Sequence, residues 1–188
     1  MKIKRYAAGL AACALLFGLA WTARANRPAS DEADVRGVVQ RVFEQLRTGQ
    51  YDRLYEALPS SSRARMSQER FTNALRRTSG VYRLDRMEIG AVRVSGDFAM
   101  VETVMYGSVE RPIRNEGKIV AQQYLVREGG EWRVATGDRA TVRRFLSANP
   151  GFARKFAVRE PRVFIKRNGR WLDLTAELKA ARRAVRQR

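Results

Sequence analysis

Residues 91–107 read AVRVSGDFAMVETVMYG, and the period of this stretch decides the fold. Ala99, Val101, Thr103 and Met105 share one side of an extended chain, while Met100, Val104 and Tyr106 share the other, interrupted by the acidic Glu102. Ser95-Gly96-Asp97 is a turn signal that separates this run from residues 92–94. Further along, residues 119–127 and 132–134 are again rich in β-branched and aromatic side chains and are divided by Gly129-Gly130. Residues 81–134 therefore read as a meander of antiparallel strands, with residues 111–117 as a polar connection.

Upstream of the meander the period is helical. Asp31, Glu32 and Asp34 give an acidic first turn, which suits the positive end of a helix dipole. Val35, Val38, Val39, Val42, Phe43 and Leu46 then recur on one face until Thr48-Gly49. Tyr51, Leu54, Tyr55 and Leu58 repeat the spacing over a shorter stretch that Pro59 and three serines terminate. Ser67 caps a third helix that turns Phe71, Ala74 and Leu75 inward and breaks at Ser79-Gly80.

Downstream comes a short helix over residues 140–147, ended by Asn149-Pro150-Gly151, and then a basic segment through Arg154 and Lys155. Residues 163–166 turn through Asn168-Gly169 into residues 171–174, and Asn-Gly is the strongest short-range hairpin signal. Thr175 opens a last helix in which Leu174, Leu178, Ala181 and Val185 form a thin apolar stripe beside Lys179, Arg182, Arg183 and Arg186. The expected fold class is α+β. N-terminal helices pack on a curved antiparallel sheet around one apolar interior in residues 31–138, and a basic helix-hairpin-helix extension follows in residues 139–188.

The N-terminus carries a targeting pattern. Lys2, Lys4 and Arg5 precede an apolar run over residues 6–21, and Ala23 and Ala25 stand at signal-peptidase spacing. Residues 1–25 are thus expected to be an export signal cleaved after Ala25, and residues 26–30 a linker. As a helix rising about 1.5 Å per residue, the run would span about 24 Å, short of a bilayer core of roughly 30 Å. An uncleaved inner-membrane anchor is the lesser reading. Cys13 sits in a sequence that imitates a lipoprotein box, but Ala14, Leu15, Leu16 and Phe17 continue the apolar run where a polar tether should begin.

Composition narrows the chemistry. The 188 residues include 37 Lys and Arg against 19 Asp and Glu, no histidine and one cysteine, Cys13. A histidine-dependent triad, a Cys/His metal cluster and a disulfide framework are excluded from the exported part. Residues 26–140 hold 19 basic and 16 acidic side chains, whereas residues 141–188 hold 14 basic and 3 acidic. Asymmetry of this kind points to an anionic partner, although 31 of the cations are arginine, which a compositional bias toward arginine would also produce. No phosphate loop, dinucleotide fingerprint, calcium loop or serine-hydrolase elbow is present, and Gly129-Gly130 precedes no helix.

Residues 48–71, TGQYDRLYEALPSSSRARMSQERF, resemble a run found in exported bacterial members of the nuclear transport factor two-like superfamily, the cystatin-like cone fold. Gln50 stands where that run usually has an aspartate. Gly96-Asp97 with Ala99 and Val101, and Tyr124-Leu125-Val126 with Glu131-Trp132-Arg133-Val134, are similar to the closing strands of that family. The resemblance covers residues 31–134. It implies a curved sheet wrapped around helices to leave a cone-shaped pocket, in a superfamily holding isomerases and dehydratases as well as non-catalytic accessory domains. No catalytic motif of the family can be carried over to this chain residue by residue.

Three functions compete on these readings. The first is an exported, non-enzymatic binding or accessory domain of the cell envelope. Its basic C-terminal region would meet phospholipid head groups, an acidic envelope polymer or an acidic protein face through Arg143, Arg144, Arg154, Lys155, Lys166, Arg167, Arg170, Arg182, Arg183 and Arg186. The second is a small-molecule enzyme of isomerase or dehydratase type, for which Glu102, Tyr106 and Tyr124 are the pocket candidates, since acid-base work without histidine needs a carboxylate or a tyrosine. The third, nucleic-acid binding, has charge alone in its favour, because no recognition motif accompanies the arginines. No cofactor is expected. A small apolar ligand, peripheral membrane contact and a homodimer are each compatible with the pattern.

Overall fold

A computed structural model describes residues 28–80, 82–109, 115–135, 139–148, 150–155, 159–177 and 180. The expected export signal, and Arg182, Arg183 and Arg186 of the expected last helix, lie outside these residues. Helix α1 (Pro28–Arg47) starts inside the stretch expected as linker, because proline at a first helical position has its φ already set for a helix. Its Val35, Val39 and Phe43 are buried at successive turns. Helix α2 (Tyr51–Glu56) buries Tyr51 and Leu54.

The serines after Pro59 do not end the helical region. They form α3 (Ser60–Arg63), whose first turn is held from a distance: the Ser60 amide and hydroxyl both donate to the Glu128 carboxylate, at 2.8 and 3.2 Å. Helix α4 (Gln68–Ser79) is capped by Ser67 Oγ, which accepts the Arg70 amide at 3.3 Å. This helix buries Thr72, while Ala74, expected inside, is exposed.

The strands are β1 (Tyr82–Ser95), β2 (Phe98–Val109), β3 (Asn115–Glu128), β4 (Glu131–Val134), β5 (Arg162–Arg167) and β6 (Arg170–Asp173). All pair antiparallel, in the order β1-β2-β3-β5-β6 with β4 also on β3. β2 takes one edge of β3 along its length, so β4 and β5 share the other. β4 pairs residues 125–128 and β5 pairs residues 117–120, both running in the same direction. They are two pieces of one strand line, interrupted by α5 (Arg139–Ala148) and α6 (Pro150–Lys155). The chain leaves the sheet where the Ala135 amide donates to the Tyr124 carbonyl, and rejoins it where the Arg159 amide donates to Gln122 Oε1, at 2.8 and 2.7 Å. The expected boundary at residue 138 falls inside this line, and the sheet continues across it. Helix α5 ends at Ala148, just before the expected stop, and Pro150 also opens α6, as proline does at a first helical position.

Apolar side chains lie on both faces of the sheet, because successive residues of a strand point to opposite sides. On one face Ala99, Val101, Leu125 and Trp132 pack with Val35 and Val39 of α1. On the other, Phe98, Met100 and Tyr124 pack with Phe152 of α6, joined by Val142 and Leu146 of α5. The single interior expected from the sequence is thus two, and the C-terminal quarter covers the second.

Two backbone features set this geometry. β1 shifts register at Leu84/Arg86 and Ile89/Val92, and such bulges bend a strand. At the first bulge Gly107 is obligatory, since a Cβ there would stand 2.2 Å from the Arg83 carbonyl oxygen. The turn between β5 and β6 has Asn168 and Gly169 both at positive φ, 49° and 75°, which is the turn type that Asn-Gly favours. Among the described residues no helix is long and apolar enough to cross a membrane.

Candidate functional site

Beyond the Phe98–Phe152 cluster the second face of the sheet carries a row of rings and cations. Strand register sets Tyr106 of β2 opposite Lys118 of β3, Lys118 opposite Phe164 of β5, and Lys166 opposite Trp171 of β6. Tyr106 meets Trp171 edge-on, with centroids 6.3 Å apart. The Arg86 guanidinium stacks 3.6 Å above the Tyr106 ring, and the Lys118 ammonium lies 4.6 Å from Trp171 and 5.2 Å from Phe164. Most charges here are internally matched: Arg86 with Glu88, Arg162 with Asp173 at 2.7 Å, and Lys166 with Glu116 at 2.8 Å. Hydrogen bonding from Arg86 holds the Glu88 carboxyl below the usual carboxylate range and raises Arg86 in turn. Lys118 has no carboxylate within ion-pair distance among the described residues.

The expected anion contacts divide. Arg143 and Arg144 on α5, Arg154 on α6, and Arg167 and Arg170 at the tip of the β5–β6 turn are exposed and have no carboxylate partner among the described residues. Lys166 is committed to Glu116, and Lys155 ends α6.

Two adjoining clefts open on the α1 side of the sheet, and they share Leu46, Tyr82, Arg83 and Leu84. The outer cleft, about 390 Å³, adds Arg47, Tyr51 and Ser79. The inner one, about 210 Å³, is apolar and reaches Met105, Ile119, Val163 and Ile165. No carboxylate lines either among the described residues.

The three pocket candidates from the sequence do not line these clefts. They project from the opposite face. Tyr124 is buried in the second cluster, where its hydroxyl donates to Gln122 Oε1 at 2.8 Å and burial pushes its pKa up. Glu102 is half-exposed, 3.6 Å from the Arg159 guanidinium. Tyr106 donates to Glu88 Oε2 at 3.1 Å. Sequence reasoning missed Lys118, Phe164 and Trp171 as neighbours, and the residues it chose for a pocket are not those that line the clefts. The Asn-Gly turn signals the pairing of Lys166 with Trp171, but nothing local signals that β5 lies against β3. Among the described residues no group of three or more acidic side chains is arranged to hold a metal ion.

No protein-family profile matches this chain, and no curated protein matches its sequence significantly.

Proposed function

We propose that this protein is an exported, non-catalytic binding domain of the nuclear transport factor two-like, cone-fold type, and that the exposed arginines of its C-terminal quarter hold it against an anionic surface of the cell envelope. The order of helices and then an antiparallel meander supports the fold reading, as do the bulged first strand and the clefts on the helix side. The signal-like residues 1–25 support export. One observation carries the functional reading. Arg143, Arg144, Arg154, Arg167 and Arg170 are solvent-facing and without carboxylate partners among the described residues, in a stretch with 14 basic and 3 acidic side chains. An arginine near an anionic bilayer contributes about 1 kcal/mol, and the attraction fades within a Debye length.

Cosedimentation of residues 26–188 with phosphatidylglycerol vesicles tests this. Replacing the five arginines with glutamine should weaken binding more than about tenfold while leaving the thermal midpoint in place. Added salt should release the wild-type protein. Equal binding by wild type and variant would overturn the reading.

A further inference from the structure

We propose that the inner cleft is the docking site of the chain's own C-terminal segment, residues 178–188, which lays the apolar stripe of Leu178, Ala181 and Val185 across it. The proposal rests on none of the five arginines above and on no membrane, so the two readings stand or fall separately.

The cleft lies where the cover of the helix side of the sheet runs out. Under α1 that face is closed, with Ala99, Val101 and Leu125 at 0% exposure. Past Leu46, near the end of α1, the same face continues through Leu84, Met105, Ile119, Val163 and Ile165, which are only half-buried around a space of about 210 Å³. Apolar surface of this kind is driven to find a cover.

The chain itself arrives at this edge. Leu172 pairs with Ile165, so Leu172 stands on the cleft side of β6, 42% exposed, and Leu174 follows it two residues later. The Leu174 amide donates to the Val163 carbonyl at 2.8 Å, and the Val163 amide donates to Thr175 Oγ1 at 3.0 Å. The last helix therefore starts against a wall of the cleft. Its described residues, 175–177 and 180, show which way it faces: Ala176 and Ala180 are exposed, while Leu174 is half-buried on the other side. At about 100° per residue, Leu178, Ala181 and Val185 fall on the Leu174 side.

Length fits as well. From β5 the sheet runs through β3 and β2 to β1, about 14 Å at about 4.8 Å per strand. From Leu174 to Val185 a helix rises about 16 Å, so the stripe reaches from Val163 on β5 to Leu84 on β1. Lys179, Arg182, Arg183 and Arg186 lie off the stripe and keep their water. A segment tethered beside its site competes at an effective concentration of about millimolar, which favours it over a second copy of the chain or a dilute apolar molecule.

Residues 26–188 contain no thiol, so a nitroxide attached through Gln187→Cys reports where the segment lies. It should broaden the amide signals of Leu46, Leu84 and Met105 and leave those of Gly96 and Gly129, at the far end of the sheet, sharp. Adding Leu178→Ser and Val185→Ser should bring the broadening at Leu84 down to the level at Gly129. Unshifted Phe98 and Phe152 signals in that variant separate undocking from unfolding. The same two serines should strengthen binding of the uncharged dye N-phenyl-1-naphthylamine about tenfold, because a site that is free about a tenth of the time binds about tenfold more weakly. Absence of broadening, broadening unchanged by the serines, or equal dye affinity with and without them would each overturn the proposal. Broadening of isotope-labelled, thiol-free chains by nitroxide-bearing chains mixed with them would overturn it too, by placing the segment on a second copy.

Discussion

Asp31 Oδ1 lies 2.7 Å from Arg127 Nη2, and this pair ties the first turn of α1 to the central strand β3. Both side chains are largely buried, at 10% and 20% exposure, and the guanidinium also lies 4.4 Å from the centroid of Trp132. Removing one partner of such a pair strands a charge in a poorly solvated place, which costs more than the intact pair contributes. Asp31→Ala and Arg127→Ala should each destabilise by about 3 kcal/mol in urea unfolding. The double variant should cost less than the two together by about 1 kcal/mol or more. Simple additivity would show that the two groups do not act on each other.

Phe152 is the main bridge between the helical excursion and the sheet. It is 5% exposed and meets Phe98 edge-on at 5.5 Å. Phe152→Ala should cost about 3–5 kcal/mol, the range for a buried aromatic whose site cannot fully collapse. The same packing means that deleting residues 141–188 would strip Phe98 and Met100 of their cover. Such a truncated protein should bind a hydrophobic dye and aggregate, so a charge variant is the sounder probe of the basic region. A Phe152→Ala protein with unaltered stability would place α6 away from the sheet.

Gly107→Ala should destabilise by about 3 kcal/mol, since its methyl would stand 2.2 Å from the Arg83 oxygen and force β1 off β2. Gly96→Ala is the comparison, because nothing lies within 4 Å of a Cβ there and the cost is confined to its positive φ of 57°. Equal costs at the two sites, measured by urea unfolding, would argue against the close approach at the bulge.

Asp173 should titrate near the bottom of the carboxylate range. The Thr175 hydroxyl and amide and the Arg162 guanidinium all donate to its carboxylate and lower its pKa from 3.8 to about 2. A carboxyl whose folded pKa is depressed stabilises above its unfolded value and loses that contribution as pH falls through the folded one. The stability difference between wild type and Asp173→Asn should therefore hold above about pH 4 and disappear toward pH 2. A carboxyl carbon titration of Asp173 with its midpoint at 3.8 would contradict the hydrogen-bonded geometry.

What the sequence showed and what it hid follow from the range of the forces involved. The Asn168-Gly169 turn, the alternation along β2 and the apolar stripe of α1 are local, and the structure has them where the residues point. The α3 turn was invisible because its cap, Glu128, is 68 residues from Ser60. The pairing of β5 with β3 is equally non-local, so Lys118 gave no sign of standing beside Phe164 and Trp171. Glu102, Tyr106 and Tyr124 were chosen for their chemistry. Alternation correctly put Glu102 and Tyr106 on one side of β2, but β2 is apolar on both sides, and one strand cannot say which side the N-terminal helices cover.

Residues 162–173 extend the sheet that α1 covers, with Val120 opposite Arg162 on its solvent-facing part. Cysteines at these two positions, in residues 26–188 where no other thiol exists, measure that directly. Cross-strand partners sit within disulfide reach, so Val120→Cys/Arg162→Cys should close an intramolecular bond in the monomer under mild oxidation, whereas Val120→Cys/Arg167→Cys should not. A Val120→Cys/Arg162→Cys protein that stays reduced, or that links only between molecules, would contradict the account.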